Sequence, residues 1–151
     1  MNNFLLQTDI VEIVQGIETV SQEFAGKTVL LTGGRGFLGR YFMEVFNYLN
    51  IHILNEPVRI IVLDNLITSG ERGSQIPDFE NIQFINHDVT KKYKCEEVSF
   101  DYVIHAAGIA SPHYYRSFPL ETLEVAIQGT RNMLELAQEK EGLSLFAKLF
   151  A

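Results

Sequence analysis

Three glycines, Gly33, Gly36 and Gly39, follow directly after the apolar run 29–31 with the spacing Gly-x-x-Gly-x-x-Gly. Gly33 permits a tight turn, Gly36 leaves room for a pyrophosphate beside the backbone, and Gly39 lets the next helix lie close to the strand. The amino terminus of that helix then faces the anion. Such a triplet alone is also typical of a flexible loop, but the flanking strand and helix patterns favour a nucleotide site.

An acidic and a basic residue lie where they would discriminate between NAD and NADP. Asp64 ends the apolar run 58–64, where a carboxylate can accept hydrogen bonds from ribose hydroxyls, although it follows the first glycine at more than the usual distance of about 20 residues. Alternatively, Asp64 only begins a turn. Arg35 inside the glycine turn favours a 2′-phosphate, and Arg40 adds a second cation. We expect NAD as the cofactor, with NADP less favoured.

Small residues follow the fourth apolar run at Ala106, Ala107 and Gly108. Small side chains at a strand end allow a ligand to approach the backbone, which suits a cofactor lying across the carboxyl edge of a sheet. Tight packing of the protein alone would require the same residues. Together with the glycine turn, they favour the cofactor.

Short apolar runs predict the parallel strands that position these residues. The pattern predicts a Rossmann-like, doubly wound α/β fold with strand order 3-2-1-4 and a fifth strand at the edge. The predicted strands are 29–32, 58–64, 82–85, 100–108 and part of 143–151, most strongly 148–151.

Helical spacing of apolar residues predicts the helices between these strands. One helix extends from Phe37 to about Asn50. Another begins at Pro119 and ends at Gly142. Its predicted apolar face is Leu123, Ile127, Thr130, Leu134 and Ala137.

An amphipathic helix is predicted over 9–24, ahead of the first strand. Gly16 in its middle costs about 1 kcal/mol relative to alanine, so the helix depends on packing. It either docks on its own domain, which we favour, or contacts a second subunit in a homodimer. We divide the chain into an amino-terminal helical extension, 1–26, and an NAD(P)-binding domain, 27–151.

Bulk properties exclude several classes of function. A chain of 151 residues is long enough for one domain with a core. A net charge of -7 and a pI near 5.0 argue against a general affinity for nucleic acid or an anionic membrane. Cys95 is the single cysteine, so we expect no internal disulfide, no metal site and a surface or half-buried thiol. We expect a cytoplasmic protein.

Two groups of residues resemble a known family. Thr32 followed by the glycine turn, with Phe37 and Leu38 inside it, resembles the extended branch of the short-chain dehydrogenase/reductase superfamily, which includes NAD-dependent epimerases and dehydratases. The runs 64–66 and 84–89 resemble its UDP-glucuronate decarboxylases. The resemblance implies that Asp88 and Val89 lie beside the adenine. The expected cofactor-binding residues are Gly33, Arg35, Gly36, Phe37, Leu38, Gly39, Asp64, Asn65, Asp88, Val89, Ala106, Ala107 and Gly108.

The loop 110–119 resembles the Ala-Ser-Pro loop of those decarboxylases, which faces the sugar nucleotide. The resemblance implies a UDP-linked sugar as partner, with Ser111, Tyr115 and Arg116 as substrate-binding residues. For any one of these side chains, a solvated position is an equally good interpretation. The chain departs from the family at Ala126, where an asparagine near the cofactor is usual.

The family's catalytic Tyr-x-x-x-Lys segment does not occur in the 151 residues. We therefore assign no catalytic residue and expect the NAD-binding portion of a sugar-nucleotide-modifying enzyme, with the fold truncated before the catalytic segment. Full decarboxylase chemistry, implied by the resemblance, would begin with oxidation of the sugar C4 hydroxyl. The alternatives are a non-catalytic dinucleotide-binding module or regulatory subunit, and a fragment of a longer enzyme.

Overall fold

The computed structural model describes residues 7–69, 79–94 and 99–139, and the backbone of 145–148. Along the described residues, one helix lies between the first two strands, and a series of helices lies between the fourth strand and the fifth. The strands are β1 (Thr28–Thr32), β2 (Arg59–Asp64), β3 (Ile82–Asn86), β4 (Tyr102–His105) and β5 (Leu145–Lys148). The helices are α1 (Gln7–Gly16), α2 (Phe37–His52), α3 (Pro112–Ser117), α4 (Pro119–Glu124) and α5 (Thr130–Glu139), with a 3-10 helix at Ser21–Phe24 and a π-helix at Val125–Gly129.

All five strands are parallel, and their order in the sheet is β3-β2-β1-β4-β5. β1 pairs with both β2 and β4, so the chain crosses from one half of the sheet to the other between β3 and β4. In doubly wound sheets, ligands bind outside the carboxyl ends of the strands at such a reversal. The predicted fold and strand order are confirmed.

Apolar side chains cover both faces of the central strands. Val29 and Leu31 of β1 belong to a cluster with α1 and α2, while Leu30 belongs to a cluster with α5 on the other face. Strands that are buried on both faces have nearly continuous apolar sequences, which is why β1 and β2 could be recognised. Burying one leucine side chain stabilises the fold by roughly 1.5–3 kcal/mol.

The amino-terminal helix is shorter than predicted. α1 ends at Gly16, and a separate 3-10 helix follows at Ser21–Phe24. Glycine is a poor helix former, because it loses more backbone entropy than other residues when it is fixed in a helix. Ile10 and Val14 of α1 are buried in the cluster that includes α2, so α1 packs on its own domain.

The predicted loop 110–119 is partly wrong, because the structure forms α3 within it. Pro112 and Pro119 each lie in the first turn of a helix, where the missing proline N–H is not needed. Phe118 separates α3 from α4 with a non-helical backbone (φ -130°, ψ 60°). A residue before proline is disfavoured in the helical region, which accounts for this break.

The apolar face predicted for the helix after Pro119 is partly wrong, because Ala137 is buried but the three larger apolar residues are not. Leu123, Ile127 and Leu134 are 57%, 59% and 44% exposed. The buried face contains Gly129 and Asn132 beside the apolar Met133 and Leu136. The spacing of apolar residues alone does not favour a face that includes a glycine and an asparagine. Gly129 is needed there because a Cβ atom would lie 3.0 Å from the side chain of the neighbouring Val89.

The edge strand β5 (Leu145–Lys148) starts earlier than the favoured 148–151, and 149–151 lie outside the described residues. Gly142 and Cys95 also lie outside them, so the predictions made for these two residues stand as predictions. The division into 1–26 and 27–151 stays a prediction as well.

Candidate functional site

A cleft of about 980 Å³ opens at the carboxyl ends of the strands. This volume lies at the upper end of the range of about 300–1,000 Å³ that is usual for ligand pockets. Most of the predicted site residues line it. The predicted residues that do so are Gly33, Arg35, Gly36, Phe37, Leu38, Gly39, Asp64, Asn65, Val89, Ala106, Ala107, Gly108 and Ser111.

The glycine turn is packed so closely that three of its glycines have no room for a side chain. A Cβ atom on Gly33, whose φ is +71°, would lie 2.7 Å from the backbone of Ala107. A Cβ atom on Gly39 would overlap the Gly33 carbonyl. Sequence analysis missed Gly34, where a Cβ atom would overlap the side chain of Val62. The turn therefore lies directly against β2 and the end of β4.

Gly36 lies at the amino end of α2 with space beside it. A Cβ atom there would meet only the Gly33 carbonyl within 4 Å, at 3.2 Å. Gly36 is the N-cap residue, without a side-chain cap, and the first turn of α2 contains no acidic residue. The first backbone N–H groups of a helix carry partial positive charge, and these face a lined cleft. Such an arrangement can bind a phosphate group.

The Asp64 carboxylate joins the two loops at one end of the cleft. Oδ2 accepts a hydrogen bond of 2.8 Å from the backbone N–H of Arg35, and Oδ1 accepts one of 2.8 Å from that of Leu66. Leu66 has a φ of 60°, a conformation that costs a non-glycine residue of order 1 kcal/mol. Each carboxylate oxygen keeps a second lone-pair direction, which leaves capacity for a ligand hydroxyl.

The Arg35 side chain is largely buried, at 8% exposure, although it lines the cleft. Its guanidinium lies 4.5 Å from the centre of the Phe84 ring in a cation–π contact. Arg40 Nε donates to the Arg35 carbonyl oxygen at 3.2 Å, so both arginines brace the glycine turn. Sequence reasoning considered Arg35 only as a phosphate ligand and missed its packing on β3.

Thr32 and His105 connect the ends of β1 and β4, and both are fully buried. Thr32 Oγ1 lies 2.6 Å from His105 Nδ1 and also accepts a hydrogen bond of 3.2 Å from the backbone N–H of Ala107. These bonds hold the small residues that follow β4 against Gly33. Polar residues at the ends of neighbouring buried strands were the signal that could have revealed this pair.

The segment after β3 forms another wall of the cleft. His87 and Val89 line it. Asp88 is not among the lining residues, and its Oδ1 accepts hydrogen bonds from the backbone N–H and the hydroxyl of Thr90. The proposed contact of Asp88 with an adenine stays a prediction.

A family model described as the NAD dependent epimerase/dehydratase family matches residues 29–149. The chain belongs to this family. UDP-glucuronic acid decarboxylase 1 of Danio rerio is 34% identical over 113 residues, which are 74% of this chain and 25% of that protein. UDP-glucuronic acid decarboxylase 6 of Arabidopsis thaliana is 34% identical over 114 residues, 73% of this chain and 30% of that protein. The chain thus spans about a quarter of the length of the curated relatives it matches.

Solved structures share the fold of this epimerase/dehydratase family member. The Bordetella bronchiseptica enzyme WbmF, solved with NAD+ and UDP, superposes with a TM-score of 0.61 at 21% identity, over 84% of this chain and 36% of that one. DesIV of Streptomyces venezuelae, a dTDP-glucose 4,6-dehydratase solved with NAD and TYD, gives a TM-score of 0.61 at 22% identity, over 79% of this chain and 38% of that one. At these identities the likeness establishes the fold.

At the end of the cleft formed by α3, the structure separates the predicted substrate-binding residues. Ser111 lines the cleft, whereas Tyr115 and Arg116 are exposed and are not among the lining residues. The tyrosine that lines the cleft is Tyr114. Ala126, where the family usually has asparagine, is exposed.

Neither a membrane-spanning helix nor a cluster of metal ligands occurs within residues 7–69, 79–94 and 99–139. No helix in these ranges is long and apolar enough to cross a membrane. Within the same ranges, no three His, Cys, Asp or Glu side chains are grouped so that they could hold a metal ion.

Proposed function

We propose that this cleft binds NAD as part of a nucleotide-sugar-modifying enzyme similar to the UDP-glucuronate decarboxylases. The observation that carries the proposal is the glycine turn, whose close packing brings the uncapped amino end of α2 to the cleft. When bound, NAD supplies a hydride acceptor for the oxidation of a sugar carbon that carries a hydroxyl group. The family and the relatives named above support this function. We also propose a cytosolic location.

Different residues of the chain would bind different parts of the cofactor. The α2 amino terminus, next to Gly36, would hold the pyrophosphate. Asp64 would accept hydrogen bonds from the adenosine ribose and would repel a 2′-phosphate, which favours NAD over NADP. The small residues that follow β4, Ala106 to Gly108, would let the nicotinamide half lie close to the backbone.

A UDP-linked sugar is the proposed substrate, and it would enter beside α3. Ser111 and Tyr114 at this end of the cleft offer a hydroxyl and a ring for hydrogen bonding and stacking. Tyr115 and Arg116 remain proposed ligands through the resemblance of their loop. A non-catalytic dinucleotide-binding module is the second candidate function, because none of the described residues lining the cleft is a lysine that could assist a tyrosine.

Binding of NAD is tested with Gly36→Val, whose side chain would extend into the space proposed for the pyrophosphate. We expect titration calorimetry to show no measurable NAD binding, while circular dichroism shows unchanged helix content. Gly16→Val is the matched control, because a Cβ atom at Gly16 meets nothing within 4 Å. Unchanged affinity in Gly36→Val would show that the glycine turn is not the site.

We also propose a homodimer in which two copies pair through an exposed stripe along α4, the π-helix and α5. The stripe is defined by Leu120, Leu123, Ile127 and Leu134. Leu120 is 70% exposed, and the other three residues are the exposed ones described above. Exposed apolar stripes of this kind mark association surfaces. Leu120 and Leu134 are equally distant from Ile127 along the sequence. If two copies pack antiparallel with their Ile127 residues at the centre, Leu120 of each copy therefore lies opposite Leu134 of the other.

Charges flanking the stripe fit the same arrangement. Antiparallel pairing about Ile127 brings the exposed Glu124 of one copy near the exposed Arg131 of the other. Sedimentation analysis should detect a dimer that Leu123→Glu dissociates, whereas Ile51→Glu, at an exposed apolar residue of α2, leaves it intact. A monomeric wild-type chain would contradict the dimer and indicate that another segment or partner covers the stripe.

A further inference from the structure

Asn132 is a buried amide that lies behind the cleft, outside its lining. At 4% exposure, its polar atoms must find partners within the protein. Nδ2 donates a hydrogen bond of 2.9 Å to the carbonyl oxygen of Val89, and Oδ1 accepts one of 2.8 Å from Gln128 Nε2. The amide therefore connects α5 to the segment after β3.

The segment that Asn132 holds is itself a wall of the cleft. Val89 lines the cleft while it is 5% exposed, because its other side packs against the π-helix. There, a Cβ atom on Gly129 would lie only 3.0 Å from Val89 Cγ2. Gly129 thus allows the close approach, and Asn132 supplies the hydrogen bond that sets the position of the Val89 backbone.

The position of this wall along the cleft indicates which half of a ligand it would contact. The backbone N–H of His87 donates to the Asp64 carbonyl oxygen at 3.1 Å, so the segment continues the β2 side of the sheet. In doubly wound folds the adenosine half of a dinucleotide lies on this side, next to the acidic residue that ends the second strand.

We propose that Asn132 is a positioning residue for the adenosine half of the cofactor, an inference that rests on the proposed dinucleotide-binding function. It acts through the Val89 carbonyl and does not touch the ligand. Without this hydrogen bond, the Val89 carbonyl loses a buried partner and the segment moves away from α5. The resulting loss of affinity affects ligands whose adenosine half contacts the segment that Asn132 holds.

The test uses Asn132→Leu, which keeps the approximate size of the side chain and removes both hydrogen bonds. We expect about a tenfold loss of affinity for AMP and the same loss for NAD, because losing a buried hydrogen bond typically costs about one such factor. Gln128→Ala leaves the bond to Val89 in place and should cause a smaller loss. Since Gln128 is only half-buried, this second variant keeps the test valid if Asn132→Leu folds poorly.

Leu136→Ala is the matched control. Leu136 lies on the same buried face of α5, but the hydrogen bond to the Val89 carbonyl comes from Asn132. This control variant should lower the thermal midpoint and leave the affinities for AMP and NAD unchanged. Amide hydrogen exchange of residues 87–90 should accelerate in Asn132→Leu more than in Leu136→Ala.

If the wild-type chain binds NAD, three results would overturn the positioning role of Asn132 and leave the proposed function standing. They are unchanged AMP affinity in Asn132→Leu, a loss for NAD that exceeds the loss for AMP, and an equal AMP loss in Leu136→Ala. A wild-type chain that binds neither AMP nor NAD would overturn the proposed function, and the role of Asn132 with it.

Discussion

Asp64 combines a structural role with a proposed role in recognition. Its two carboxylate oxygens accept backbone hydrogen bonds from Arg35 and Leu66, so the carboxylate is fixed in place before any ligand binds. A group held in position loses little entropy when it forms a further hydrogen bond. In the proposed function the same carboxylate would repel a 2′-phosphate, while the Arg35 guanidinium is packed on Phe84.

We therefore predict that Asp64→Asn weakens NAD binding about tenfold and weakens NADP binding less, because an amide offers one acceptor oxygen and carries no charge. Side-by-side titrations of NAD and NADP at fixed salt measure the ratio. Asp101→Asn is the control, since the Asp101 carboxylate also accepts a backbone hydrogen bond, from Thr28, but is not among the residues that line the cleft. Wild-type affinity for NADP equal to that for NAD would contradict the assignment.

Sequence reasoning identified most residues that line the cleft but few of their contacts. Glycine spacing and a strand-end carboxylate are local patterns, so Gly33, Gly39 and Asp64 could be found from them. The packing of Arg35 on Phe84 and the pairing of Thr32 with His105 join residues on different strands. Contacts of this kind depend on the register between strands, which no local pattern contains.

At the scale of elements, the strands were predicted best and the helix after β4 worst. Strands that are buried on both faces can be recognised by their nearly continuous apolar sequence. The connection rules for parallel sheets then predict the order of the strands. The helical segment after β4 buries a face that contains Gly129 and Asn132 and leaves a second apolar stripe exposed. The orientation of this segment depends on its close approach to Val89 and leaves the apolar stripe exposed. Neither feature can be predicted from the hydropathy of the sequence.

α1 provides the prediction at this scale. The Tyr41 hydroxyl of α2 donates a hydrogen bond of 2.8 Å to the carboxylate of Asp9 in α1, which raises the pKa of Tyr41 above its usual value of 10.0. A raised folded-state pKa means that this contribution to stability is complete below pH 10.0 and is lost as the pH rises through the higher value.

Thermal unfolding followed by circular dichroism should therefore show a loss of stability above about pH 10 in the wild-type chain. Tyr41→Phe should be less stable at pH 8 and should show a smaller dependence on pH above 10. Tyr48→Phe serves as the control for tyrosine ionisation elsewhere on α2. A Tyr41→Phe profile parallel to that of the wild type would exclude the contribution of this contact.

At the scale of the whole molecule, the residues suited to binding a cofactor are present, whereas the sequence that the family uses for catalysis does not occur. The 151 residues contain a cleft that suits a dinucleotide, yet they contain no Tyr-x-x-x-Lys sequence, and none of the described lining residues is a lysine. General-base assistance of the missing kind contributes about 10²–10⁴-fold to a rate. An unassisted tyrosine, with an ordinary pKa of about 10, is a poor base at neutral pH.

We predict that the 151-residue chain, supplied with NAD and UDP-glucuronate, binds NAD without decarboxylase, epimerase or dehydratase turnover. The chain spans about a quarter of its relatives, so much of the surface that positions a sugar nucleotide in a longer protein would be missing as well. NADH absorbance and carbon dioxide release, each against a no-protein control, measure the outcome. Turnover that disappears in Tyr114→Phe or in Tyr115→Phe would contradict this prediction, because it would locate an active site on α3, beside the cleft that the glycine turn forms.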